Sequence, residues 1–185
     1  MTERLAPGAR RDPYGSRINR SHSPVIAYAI PYASILLACL LPIFVMTSAV
    51  PLVPPLGFLF LIAWRQSRPG LLPIWIGLPL GLFNDLYSGQ PMGSSALLWS
   101  LAMIAMEIVE TRFPWRSFVQ DWGLASALVF VFLLASALFS GATPNMAVFK
   151  LIGLQVLLSV LAYPIIGRMV ARLDRLRLMR WRVIG

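Results

Sequence analysis

The chain has 185 residues, 58% of them apolar and only 12% charged, too few charges to dress a water-soluble domain. A formal charge of +9 would suggest nucleic acid in a soluble domain, but five arginines precede the first apolar run and six follow the last, so no basic face is assembled and no nucleic-acid partner is expected. A mean hydropathy of +0.73 calls for a lipid cover, which makes the expected fold class an all-α integral membrane protein.

Residues 1–24 hold Arg4, Arg10, Arg11, Arg17 and Arg20 with few large apolar groups, and are expected to be a disordered basic tail. Residues 27–46 are 20 uncharged positions, enough at 1.5 Å each to cover a hydrocarbon core of about 30 Å, and form the first predicted span. A basic start before an apolar run also fits a signal peptide. The run is longer than usual and 47–49 is a weak cleavage site, so an uncleaved span is preferred.

The second span, 52–64, is short and lies between Pro51, Pro54 and Pro55 on one side and Arg65 and Arg68 on the other. Prolines fit the first turn of a helix, and some bilayer thinning would accommodate the length. The third span, 69–86, contains Pro73 and Pro79 and runs into the turn residues Ser88-Gly89-Gln90-Pro91. Spans four to six cover 94–109, 123–139 and 146–166, with Glu107, Glu110, Arg112, Arg116 and Asp121 grouped between four and five. The apolar runs are continuous rather than alternating, which excludes a transmembrane β-barrel.

Six transmembrane helices put both tails on one side. Of the 16 Lys and Arg residues only Lys150 then falls on the other side, the positive-inside pattern, so both termini are expected in the cytosol. The predicted organisation is a basic tail over 1–24, a six-helix domain over 25–167 and a second basic tail over 168–185. In that last segment Met169, Leu173 and Leu176 stand opposite Arg168, Arg172, Arg175 and Arg182 at helical spacing. This predicts an amphipathic helix on the inner leaflet with anionic lipids as partners, although positive-inside anchoring alone explains the same charges.

Cys39 and His22 are each isolated, so neither a disulfide nor a metal site is expected, and no cofactor. Glu107 and Glu110 share a helical face and could pair with Arg112 and Arg116, although a solvated helix end explains the same charges and is preferred. No nucleophile or histidine accompanies them, so no catalytic site is expected and the chain is read as a non-enzyme.

The most informative segment is Gly81-Leu82-Phe83-Asn84-Asp85-Leu86-Tyr87-Ser88-Gly89-Gln90-Pro91-Met92-Gly93. An ionised carboxylate at mid-bilayer costs about 2.5–3.5 kcal/mol, so Asp85 must find water, a partner or a proton. Gly77, Gly81 and Asp85 recur every four residues and share one helical face, where the two glycines would admit a second helix. Three readings stay open: Asp85 and Asn84 cap the following turn, the face docks a partner helix, or the carboxylate handles protons or ions. The candidate partner-binding or helix-packing residues are Gly77, Gly81, Asn84, Asp85, Gly89, Pro91 and Gly93.

This segment resembles the motif of the rod shape-determining MreD family, a Gly-Leu-x-x-Asp-Leu-x-x-Gly-x-Pro-Leu-Gly pattern in which Met92 replaces the usual leucine. The preceding Trp64-Arg65-Gln66-Ser67-Arg68-Pro69 resembles that family's basic loop between spans two and three. The resemblance implies a noncatalytic inner-membrane scaffold of the cell-elongation machinery. Its implied partners are MreC, a RodA-type polymerase, a class B penicillin-binding transpeptidase and, indirectly, MreB. It also implies a fold similar to the six-helix substrate-binding subunits of energy-coupling-factor transporters. That likeness supplies the rival reading, a substrate-binding subunit for a vitamin-type small molecule.

Overall fold

The computed structural model describes residues 20–21, 24–45, 53–113, 117–141, 145–177 and 182–183. Six helices make up nearly all of it: α1 (Pro24–Val45), α2 (Leu56–Ser67), α3 (Gly77–Ser88), α4 (Ser94–Arg112), α5 (Phe118–Phe139) and α6 (Met146–Arg177). A 3-10 turn at Ile74–Ile76 leads into α3. Two short strands, β1 (Arg20–Ser21) and β2 (Arg182–Val183), pair antiparallel with Arg20 opposite Val183. The start of α1 and the end of α6 therefore meet at one end of the bundle, the arginine-rich end. Apart from Arg20, Ser21 and Pro24, which opens α1, the N-terminal segment expected to be disordered lies outside the described residues, as does Arg116.

The helices are not alike. Three of the described helices, α4, α5 and α6, are long and apolar enough to cross a membrane, and α1 carries a shorter apolar stretch, Ala27–Ile43. Helices α2 and α3 have 12 residues each, about 18 Å of axial rise. The short α2 is the axis of the bundle. Every residue from Gly57 to Arg65 is buried, because α1, α5 and α6 surround it and Trp99 of α4 closes the remaining side. A helix apolar all round belongs inside protein, and its irregular ends are tolerated at membrane depth because they face neighbours rather than lipid. Phe58 stacks on Phe132 of α5 at 4.5 Å and tilts against Trp99 at 5.8 Å. At Gly57 α1 comes so close that an added Cβ would lie 2.3 Å from the Cys39 sulfur.

Proline inside a helix removes an N–H and leaves the carbonyl four residues earlier without its helical donor. Two of the interior prolines are matched by a donor from another helix. Pro31 frees the Ala27 carbonyl, which accepts from Arg177 Nη1 at 3.3 Å. Pro164 frees the Val160 carbonyl, which accepts from Trp122 Nε1 at 3.0 Å. The prolines thus create acceptors that tie α6 to α1 and α5.

Helix α6 differs from the expected division at residue 167. It continues without a break for 32 residues to Arg177, because the charges that end the hydropathy signal do not end the backbone hydrogen bonding. Its inward face past the apolar stretch is Val170, Asp174 and Arg177, while Met169 and Leu176 are exposed. Of the three apolar side chains expected on one face, Leu173 packs against the core while Met169 and Leu176 face outward.

Candidate functional site

The segment from Gly77 to Gly93 folds as a hairpin with α4. Gly77 and Gly81 let the two backbones touch: a Cβ at Gly81 would lie 2.5 Å from Ala96 Cα, and one at Gly77 would lie 2.8 Å from the Trp99 carbonyl oxygen. Helix α3 ends on Gly89 at φ +68, and α4 begins after Gly93 at φ +92, left-handed conformations that glycine adopts without steric cost. The Ser94 N–H donates to the Pro91 carbonyl at 3.0 Å and closes the turn between them.

Asp85, 3% exposed, reaches from α3 into the start of α4. Its Oδ2 accepts from the Gly93 N–H at 2.8 Å and the Ala96 N–H at 3.4 Å, and its Oδ1 accepts from the Ser95 N–H at 2.9 Å and the Ser94 hydroxyl at 3.3 Å. These amides are among the unpaired donors that open any α-helix, and the helix dipole favours a negative charge there. Asn84 Nδ2 adds a bond to Ser95 Oγ at 3.1 Å. The arrangement is a helix cap supplied from a neighbouring helix, and both carboxylate oxygens are engaged by it.

Of the readings left open for the Gly77 and Gly81 face, the geometry is that of helix packing within the chain, since the face is filled by α4. A separate helix has no access to it without displacing α4. Gly89 and Gly93 serve the backbone alone, since an added Cβ at either would meet nothing within 4 Å.

A second polar cluster lies at the arginine-rich end. Arg65, 2% exposed, donates from Nη1 to the Leu72 carbonyl at 3.0 Å and from Nη2 to Glu110 Oε2 at 2.7 Å and to Glu107 Oε2. The glutamates thus face α2 rather than their own helix end, where Arg112 stays exposed. Arg68 holds Asp174 Oδ2 from Nε at 2.9 Å and from Nη2 at 2.7 Å, and Arg177 lies 3.1 Å from the other carboxylate oxygen. That hydrogen bond and the charge of Asp174 hold the Arg68 guanidinium above its ordinary value. Gln66 donates to the Asp121 carbonyl at 3.1 Å and accepts from the Tyr163 hydroxyl. Trp64 donates to Ser34 Oγ at 2.8 Å, with Arg177 over its ring.

The Trp64-Arg65-Gln66-Ser67-Arg68 stretch therefore bonds to every long helix. Sequence reading placed its charges but not these partners, which are separated by up to 106 positions. Of the predicted surface arginines, Arg168, Arg172 and Arg175 are exposed along α6, whereas Arg182 lies in β2 and not on that helix. Lys150 is exposed near the start of α6. Among the described residues no three histidine, cysteine or carboxylate side chains gather in a way that could hold a metal ion.

At the opposite end, a cavity of about 120 Å³ lies between α1, the start of α2 and the end of α3, with Asn84, Ser88 and Gln90 in its wall. It is small beside the roughly 300–1,000 Å³ of typical small-molecule sites.

An all-helical bundle with a central helix buried from Gly57 to Arg65, a capped helix hairpin and an ionic knot at one end defines a polytopic membrane protein whose helices are tied together by polar contacts. The family model of the rod shape-determining protein MreD matches residues 20–175, most of the chain, and the chain belongs to that family. No curated protein and no solved structure matches it.

Proposed function

We propose that this chain is a noncatalytic scaffold in the inner membrane of a rod-shaped bacterium, with six membrane-crossing helices and both termini in the cytosol. In this reading it links MreC to the RodA-type polymerase and the class B transpeptidase, and through MreC to MreB. The observation that carries it is the family match over residues 20–175, since that family determines rod shape. Two features of the bundle support a structural role. The ionisable groups of the hairpin and of the ionic knot bond chiefly to other helices of the chain, which builds a rigid body rather than a reactive site. The arginine-rich end carries both terminal segments, which agrees with a cytosolic placement by the positive-inside rule.

With the Gly77 and Gly81 face occupied, a partner's single membrane helix needs another surface. A groove of about 150 Å³ between α4 and α5, floored by Phe58 and edged by Ala102 and Ala105, offers small residues that permit close helix approach. We assign the MreC helix to that groove.

The vitamin-subunit reading and its transporter-like fold gain no comparable support. Asn84, Asp85 and Gln155, which a polar ligand would need, already bond to Ser95, to the α4 amides and to the Val53 carbonyl. The test is complementation. In a rod-shaped host depleted of its own family member, expression of this chain should restore rods, and persistent spheres with normal protein levels would refute the proposal.

A further inference from the structure

At 100° per residue, Leu157, Leu161, Ile165, Arg168, Arg172 and Arg175 fall within a sector of roughly 80° on α6. The three apolar members are 54%, 60% and 61% exposed, and the three arginines are exposed as well. The stripe changes from apolar to cationic in less than one turn, between Ile165 and Arg168, on a helix that does not break there. None of the three arginines bonds to an acidic group among the described residues. The one carboxylate on α6, Asp174, points to the opposite face, where Arg68 and Arg177 hold it. Three positive charges are therefore left uncompensated on an outward-facing strip that begins where the apolar surface stops.

We infer that this stripe is a binding site for anionic phospholipid, with acyl chains along Leu157, Leu161 and Ile165 and the phosphate at Arg168 and Arg172. The complementarity is one of charge and of order. An apolar surface followed immediately by cationic groups matches the sequence of tail and headgroup met on leaving a membrane. Arg175, one turn beyond Arg172, would hold a second headgroup oxygen or a neighbouring lipid. Because the opposite face of α6 is locked to α1 and α2 through Arg177 and Arg68, lipid bound to the stripe would bear on the ionic knot. This inference does not depend on the shape-determining role.

The test uses the full chain reconstituted in vesicles of three parts phosphatidylcholine to one part phosphatidylglycerol. Spin-labelled phosphatidylglycerol and spin-labelled phosphatidylcholine with the same labelled chain report the protein-bound fraction of each lipid. The parent should prefer phosphatidylglycerol, and each arginine removed should weaken the preference by up to roughly fivefold. The triple variant Arg168→Gln/Arg172→Gln/Arg175→Gln should bring it to near equality with helix content unchanged, because these side chains hold nothing inside the chain. The triple lysine variant keeps the charges and should keep the preference. Equal association of both lipids with the parent, or a glutamine variant that prefers phosphatidylglycerol as strongly as the parent, would overturn the inference.

Discussion

Replacing Asp85 probes the hairpin most sharply. Asp85→Ala removes the acceptor of two well-formed backbone bonds, from the part-buried Gly93 N–H at 2.8 Å and the buried Ser95 N–H at 2.9 Å. Each buried donor left unsatisfied costs about 1–3 kcal/mol, so the expected loss is about 3–4 kcal/mol. Asp85→Asn keeps one acceptor oxygen but turns an NH2 group toward the other amides and removes the charge that the helix N-terminus favours, for a loss of about 1–2 kcal/mol. The assay is reversible unfolding of the purified protein in mixed micelles, with Trp fluorescence as readout. The predicted order is parent, Asn, Ala. An alanine variant within 0.5 kcal/mol of the parent, on the scale of a neutral surface change, would refute the capping account.

The remaining predictions use the same assay. Gly81→Ala places a methyl 2.5 Å from Ala96 Cα and should cost about 3 kcal/mol. Gly89→Ala, with open space around it but φ at +68, should cost only about 1–2 kcal/mol. Arg65→Ala leaves Glu107 and Glu110 without their shared cation and should cost about 3–5 kcal/mol, whereas Arg112→Ala on the exposed helix end should fall within about 0.5 kcal/mol. Trp122→Phe strands the Val160 carbonyl freed by Pro164 and should cost about 1–2 kcal/mol. Adding Pro164→Ala should recover much of that loss, since the new N–H can donate to the same carbonyl, and a further loss instead would contradict the pairing of the two side chains.

Six helices were legible because a run of uncharged residues bounded by Pro, Gly or Arg reads the same whether its neighbours are lipid or protein. For the same reason the central place of α2 was not legible. Hydropathy makes 52–64 a poor span, and only the packing of α1, α5 and α6 around Gly57 to Arg65 explains why so short a helix is stable there. Asp85 was visible as a carboxylate that needed partners, and the cap was one of the readings open to it. The small-residue face at Gly77 and Gly81 was visible too, but spacing alone does not say whether the approaching helix comes from the same chain. The ionic knot was hidden because Arg65 finds Glu107 and Glu110, and Arg68 finds Asp174, only after the helices have packed. The continuity of α6 was missed because Arg168 ends an apolar run without ending a helix.

The central claim, a scaffold for wall synthesis, is tested most directly by purifying the chain gently from native membranes and identifying by mass spectrometry what remains bound. Recovery of MreC-type and RodA-type proteins, lost when Ala105→Phe fills the groove between α4 and α5, is the predicted result. Recovery instead of paired ATPases with a coupling membrane subunit would contradict the account and make the chain part of a transporter.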